Sequence, residues 1–147
     1  MTPHLLLVED NPTDEKLTLR AFKMGGVATE IAVARDGAEA LDYLFATGVH
    51  AERDAHDLPA LILLDLKLPR IDGFDVLARI RGDAHTRWVP VVILSTSNVP
   101  QDVARSYALG ANAYMRKPMD FNQFVGAARA LDMFWLRLNE LPPRGGA

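Results

Sequence analysis

The sequence predicts a doubly wound α/β three-layer sandwich, and three observations carry that expectation. Five short apolar runs alternate with segments of helical patterning, the central runs are apolar without interruption, and capping residues or prolines stand where helices must begin. The first run, about His4 to Val8, leads into Asn11-Pro12, a capping asparagine followed by proline at the first helical position. The helix that starts there reaches about Met24 and stops at Gly25-Gly26. Thr29 to Ala34 reads as a second strand. Asp36, with Glu39 three residues on, has capping-box spacing, and a helix through Ala40, Leu41, Tyr43 and Leu44 is expected to extend to Gly48. Val49 to Pro59 is long and polar for a helix-to-strand connection, hence a surface insertion or a partner contact. Ala60 to Leu64 suits a central parallel strand covered on both faces. Pro69 and Gly73 punctuate the loop before a helix from about Phe74 to Arg81. Val91 to Leu94 is the fourth strand, Pro100 to Leu109 a short helix closed by Gly110, and Ala113 to Arg116 the fifth strand. Asp120 and Gln123 cap a last helix to about Leu138. With right-handed crossovers the expected strand order is 2-1-3-4-5, with five helices and a switch point between strands 1 and 3. That order sets Asp10 beside Asp65.

The 147 residues, 49% of them hydrophobic, suffice for one domain with its own core, expected over 1–141, followed by a disordered tail over 142–147. The chain has no cysteine, which excludes thiol catalysis, Cys-ligated zinc and disulfides and fits a cytoplasmic setting. No apolar run approaches the roughly 20 residues of a membrane span, and the first residues lack a signal peptide's basic and apolar regions. The formal charge is −3 and the basic residues are scattered, so neither nucleic acid nor a membrane surface is an expected partner. Arg70, Arg79, Arg81 and Arg87 read as a solvated helix face and its flanks. His4, His50, His56 and His85 show no metal-ligand spacing and read as surface or strand-end residues.

Charged residues stand where the apolar runs end: Glu9 and Asp10 after the first, Asp65 after the third, Lys117 after the fifth. In a parallel sheet these ends share one edge, where ligands bind. Carboxylates brought together there repel by about 4 kcal/mol per pair at 4 Å with an effective dielectric of 20, so the cluster implies a divalent cation or shifted pKa values. Mg2+ is the plausible cation, since it takes hard oxygen ligands and uses one or two carboxylates plus a phosphate. A phosphoryl group at Asp65 would find the cation on one side and the Lys117 ammonium on the other, with Asp65 as nucleophile. Taken singly, an acid that opens a loop is more often a turn or cap residue than a catalyst, less so for Asp65, which abruptly ends a buried apolar strand with nothing nearby to cap.

Val8-Glu9-Asp10-Asn11, Leu63-Leu64-Asp65-Leu66-Lys67-Leu68-Pro69-Arg70-Ile71-Asp72-Gly73, Leu94-Ser95-Thr96 and Tyr114-Met115-Arg116-Lys117-Pro118 together resemble the response-regulator receiver domains of two-component signalling, across nearly the whole chain. The resemblance implies a flavodoxin-like fold in which Asp65 accepts phosphate from a histidine kinase. It further implies that Asp10, Asp65 and the Lys67 backbone carbonyl bind Mg2+, that Glu9 holds metal-associated water, and that Lys117 contacts the phosphoryl oxygens. Ser95 would be the hydroxyl switch, Tyr114 the aromatic that changes rotamer with it, and Lys117-Pro118 a cis peptide. One departure is Thr96, where many receivers carry Ala or Gly; a branched side chain there should narrow access to the phosphosite and slow phosphoryl exchange. Within the family, Glu9 to Asp14, the Val49 to Pro59 insertion, Leu94 to Ser97 and Phe134-Trp135 look most like stand-alone receivers associated with bacterial phytochrome kinases. With no output domain in the chain, another protein would read the phosphorylation or relay it.

On the last helix Phe121, Phe124, Ala128, Leu131, Trp135 and Leu138 form a core stripe by their spacing, leaving Met133, Phe134 and Leu136 as a candidate homodimer surface. Two rivals use related chemistry. A haloacid-dehalogenase-like phosphohydrolase generally carries a second Asp two residues after the nucleophile, where this chain has Lys67. A flavin-binding module needs a phosphate-cradling loop after the first strand, where this chain is acidic.

Overall fold

The computed structural model describes residues 3–143. Five parallel strands form one sheet in the order β2-β1-β3-β4-β5: β1 His4–Val8, β2 Glu30–Ala34, β3 Leu61–Leu64, β4 Val91–Ser95 and β5 Ala113–Arg116. The helices are α1 Pro12–Met24, α2 Gly37–Phe45, α3 Gly73–Gly82, α4 Pro100–Ala108 and α5 Phe121–Leu131. Every residue of β1, β3 and β4 is buried, whereas β2 and β5 are partly exposed edge strands. Alternation along each central strand supplies both cores. Leu6, Val8, Ile62, Leu64, Val91 and Ile93 pack with α2 and α3, while Leu5, Leu7, Leu61, Leu63, Val92 and Leu94 pack with α1 and α5.

The helix starts follow the chemistry of their caps. Asn11 Oδ1 accepts from the backbone N–H groups of Thr13 and Asp14, Asp36 caps Glu39, Asp72 caps Asp75 and Asp120 caps Asn122. Two helix ends differ from expectation. Instead of reaching Gly48, α2 stops at Phe45, because Ala46 adopts a left-handed conformation (φ 55°) and returns its N–H to Asp42. Beyond Leu131 the last helix widens into a π-helix over Asp132–Leu138.

That widening explains a correction to the expected stripe. With i→i+5 closure the apolar face drifts out of α-helical phase, so Leu136, five residues after Leu131, packs partly buried into the α1–α5 core. Leu138, expected in the core, is 65% exposed. Asp132 is buried, accepts from Arg137 Nε at 3.0 Å and lies 3.4 Å from the Thr29 hydroxyl; the Arg137 contact also has the five-residue spacing. Of the candidate dimer residues, Met133 and Phe134 are half exposed and Leu136 is not free. Residues 144–147 of the expected tail lie outside the described residues, and Pro142 and Pro143 are exposed without regular structure.

The long insertion folds back along α2. The Arg53 guanidinium lies 3.5 Å from the Tyr43 ring centroid and donates to the Tyr43 and Asp57 carbonyls, and His50 contacts Glu39 at 3.0 Å. Arg81 corrects the reading of a solvated arginine face. Its guanidinium is drawn inward, donating to the Gly110, Arg87 and Val89 carbonyls and to Asn112 Oδ1 at 2.7–3.0 Å, and burial lowers its pKa. It thereby ties the end of α3 to the loops entering β4 and β5. Arg81→Ala should cost about 2–4 kcal/mol in urea unfolding, with Arg81→Lys recovering only a fraction, because removal orphans carbonyls and a single ammonium cannot span the same acceptors. Equal stability of Arg81→Ala and wild type would contradict this role.

Candidate functional site

Register brings the acidic residues together. Val8 pairs with both Ala34 and Leu64, so Glu9 and Asp65 emerge side by side at the carboxyl edge; the Glu9 N–H donates to Ala34 and the Asp65 N–H to Val8. Ser95 pairs with Arg116, and the next residue, Lys117, donates its N–H to the Ser95 carbonyl at 2.8 Å. The loop after Asp65 is held close by Gly73, whose N–H donates to the Leu66 carbonyl at 2.9 Å. A Cβ on Gly73 would lie 2.6 Å from Leu66 Cα, so only glycine lets α3 start this near the Asp65 backbone. Arg70 takes a left-handed conformation (φ 64°) within the same loop.

At the centre lies Lys117 Nζ, 2.6 Å from Glu9 Oε2, 3.0 Å from Asp14 Oδ2 and 3.2 Å from Asp65 Oδ2. Asp65 Oδ1 accepts from the Lys67 N–H at 3.1 Å, and Glu9 Oε1 from the Asn11 N–H at 3.1 Å. Glu9, Asp10 and Asp65 each offer an oxygen within 4.8 Å of the others, with Asp10 exposed and the other two buried. Three carboxylates thus bond one ammonium, and Asp10 adds a further acid to the cluster. Burial raises the Glu9 pKa from 4.5 to about 7; the Lys117 hydrogen bond opposes this and the Asp65 charge adds to it. Burial alone would lower the Lys117 pKa, but the hydrogen bond and charge of Glu9, together with Asp65 and Asp14, overcome it and raise the value. The ammonium therefore stays charged, and the excess of hard oxygen donors around it fits a divalent cation.

Ser95 is fully buried, and its Oγ accepts from the Ser97 N–H at 3.1 Å. Tyr114 is half-buried, with its hydroxyl donating to the Ser97 carbonyl at 2.8 Å. Ser97 Oγ in turn donates to Asp102 Oδ2, in the first turn of α4, at 2.7 Å and accepts from the Val99 N–H at 3.2 Å, tying this loop to the start of a helix whose own N-cap residue, Val99, makes no side-chain capping bond. Thr96 is exposed. The Lys117–Pro118 peptide, expected to be cis, is trans, as are all peptides among the described residues. The two X–Pro isomers differ by only about 0.5–1 kcal/mol, and the lysine is held inward by carboxylates. Sequence reading missed Asp14 as a partner of Lys117, and missed Ser97 and Asp102 as the link between Ser95, Tyr114 and α4. The available signal for Asp14 was an acid in the first turn after Asn11-Pro12, where the helix dipole explains an acid equally well.

A model of the response regulator receiver domain matches residues 5–129. The chain belongs to that family. Receivers are signalling proteins that accept a phosphoryl group on an aspartate from a histidine kinase and bind a divalent metal at an acidic pocket. This receiver is 36% identical over 138 residues to response regulator Rcp1 of Synechocystis sp., covering 94% of this chain and 92% of that one. Rcp1 has also been solved in a Mn(2+)-bound form, 34% identical with a TM-score of 0.83, covering 96% of this chain and 100% of that one. The phosphorylated cyanobacterial phytochrome response regulator RcpA superposes with a TM-score of 0.87 at 38% identity, covering 97% of this receiver and 100% of RcpA. The bacteriophytochrome response regulator AtBRR is 51% identical with a TM-score of 0.77, covering 95% and 99% of the two chains. Family membership displaces the phosphohydrolase and flavin readings. No helix among the described residues is long and apolar enough to cross a membrane.

Proposed function

We propose that Asp65 is the phosphoacceptor of a single-domain response regulator working in the cytoplasm with a phytochrome-type histidine kinase, and that Mg2+ is its cation. The observation that carries this reading is the meeting of Asp65, Lys117, Glu9 and Asp10 at the carboxyl edge, with Asp65 Oδ2 3.2 Å from the ammonium. Asp10 and Asp65 would hold Mg2+ with the Lys67 carbonyl, and Glu9 would order water around it. When bound, the cation neutralises carboxylate charge and the developing charge on the phosphoryl oxygens. Asp65 attacks phosphorus, the bond to the donor's leaving group breaks, and an acyl phosphate forms on Asp65. Lys117 donates a hydrogen bond to a phosphoryl oxygen and transfers no proton. Self-phosphorylation from small donors and slow self-hydrolysis are the only reactions of the isolated chain. Titrating Mg2+ should raise thermal stability, and adding acetyl phosphate should then label the protein; no labelling at saturating Mg2+ would count against the reading.

Ser95 and Tyr114 form the switch. Turning the Ser95 hydroxyl toward a phosphate releases the Ser97 N–H, and Ser97 also accepts from Tyr114 and is bonded to Asp102 in the first turn of α4. A small displacement of one loop thus reaches both the aromatic and a helix start, as in bistable packing. Thr96 stands at the rim of the phosphosite, and Thr96→Ala should shorten the acyl-phosphate lifetime severalfold by admitting water. An unchanged lifetime in a phosphate-release assay would remove Thr96 from this role. Met133 and Phe134, extended by Leu138, form an apolar patch through which two copies associate, with Leu136 bracing it from the core side. Sedimentation should report a dimer at high micromolar concentration that Phe134→Glu converts to monomer; a wild-type monomer would exclude the interface.

A further inference from the structure

We infer that Asp14 is a positioning residue for phosphoryl transfer: it fixes the Lys117 ammonium from the α1 side and limits the positive charge offered to the incoming phosphate. The inference rests on the reading of Asp65 as acceptor and goes beyond it. A lysine ammonium has three protons and accepts nothing. In this site each proton has its own carboxylate, on Glu9, Asp14 and Asp65. Two of the three are anchored independently of the reaction. Glu9 is buried, with its other oxygen held by the Asn11 N–H. Asp14 rides on the first turn of α1, where its own N–H is capped by Asn11 Oδ1 at 3.1 Å. Only the proton facing Asp65 is left to be reassigned when a phosphoryl oxygen arrives. Asp14 and Glu9 together therefore aim that third proton.

The charge of Asp14 acts in the opposite sense. When Asp65 attacks acetyl phosphate, the phosphorus–oxygen bond to acetate breaks, acetate leaves with the electron pair, and a carboxylate of charge −1 becomes an acyl phosphate of charge −2. Asp14 sits across the ammonium from this gain and works against it. Its side chain is 35% exposed, so water screens the effect without abolishing it. Asp14→Asn keeps an oxygen for Lys117 and removes the charge, whereas Asp14→Ala removes both.

The test compares labelling rates at saturating Mg2+ with two donors, acetyl phosphate, a dianion at neutral pH, and phosphoramidate, a monoanion. Asp14→Asn should label about three- to tenfold faster than wild type with acetyl phosphate and gain less with phosphoramidate, so the ratio of the two rates rises. Asp14→Ala, without the anchor, should label more slowly than Asp14→Asn with both donors. A rate ratio unchanged in Asp14→Asn, including an equal slowing with both donors, would overturn the inference. Asp65→Asn run in parallel separates the two layers: labelling that survives it refutes the acceptor assignment, whereas labelling that needs Asp65 but ignores the charge at position 14 refutes only the role of Asp14.

Discussion

Asp65→Asn should abolish labelling by acetyl phosphate and, at neutral pH without divalent cations, make the protein about 1–2 kcal/mol more stable than wild type. The loss of labelling is chemical, since an amide oxygen is too weak a nucleophile to form the acyl phosphate. The gain in stability is electrostatic. Glu9, Asp14 and Asp65 share one ammonium, and Glu9, Asp10 and Asp65 offer oxygens within 4.8 Å of one another, so removing one charge relieves repulsion while Lys117 keeps Glu9 and Asp14. The Asp65 charge also helps to raise the Glu9 pKa, so its removal eases ionisation of a buried group. In thermal unfolding the variant should melt about 3–8 °C higher without metal, and added Mg2+ should stabilise it less than wild type. A metal-free Asp65→Asn protein less stable than wild type would mean that the contact to Lys117, not the repulsion, dominates at this position.

The second large effect is a pH dependence that belongs to the metal-free state. Glu9 titrates near 7 in the folded protein and near 4.5 when unfolded, chiefly because it is buried. A carboxyl whose folded pKa is raised binds its proton more tightly in the native state, so its contribution falls as pH rises from about 4.5 to about 7 and is flat outside that window. The full change is about 3 kcal/mol by linkage. Glu9→Gln, which carries no charge to desolvate, should therefore gain on wild type steadily across that window when unfolding free energies are measured in chelator. Saturating Mg2+ should erase most of the gain by stabilising the ionised carboxylates. Parallel pH curves for the two proteins in chelator would show that Lys117 already compensates the buried charge in full.

The central strands were legible because burial on both faces leaves only apolar residues, which is why β1, β3 and β4 stand out as uninterrupted runs. Their carboxyl ends followed directly, and with them Glu9, Asp10 and Asp65. The end of α2 was not legible, since Ala46 adopts a left-handed conformation without glycine to announce it. Nor was the π-helix. Met133 to Leu138 reads as ordinary helix, whereas the Asn139 N–H bond to the Phe134 carbonyl and the contact of Arg137 with buried Asp132 both have the five-residue period that turns Leu136 inward and Leu138 outward. Arg81 and Asp14 share one reason for having escaped notice. Their partners lie outside their own helices, Gly110 and Asn112 for Arg81 and Lys117 for Asp14 being distant in sequence, and spacing along a single helix carries no information about which carbonyl or ammonium a side chain will meet.

Reduction with borohydride after acetyl phosphate treatment tests the central claim most directly, because it converts an aspartyl phosphate to homoserine and fixes the site in the covalent chain. Peptide mass mapping should find homoserine at position 65 alone, in a yield that depends on added Mg2+. Homoserine at position 10 or elsewhere, or an equal yield in chelator, would contradict the assignment of Asp65 as a cation-dependent phosphoacceptor.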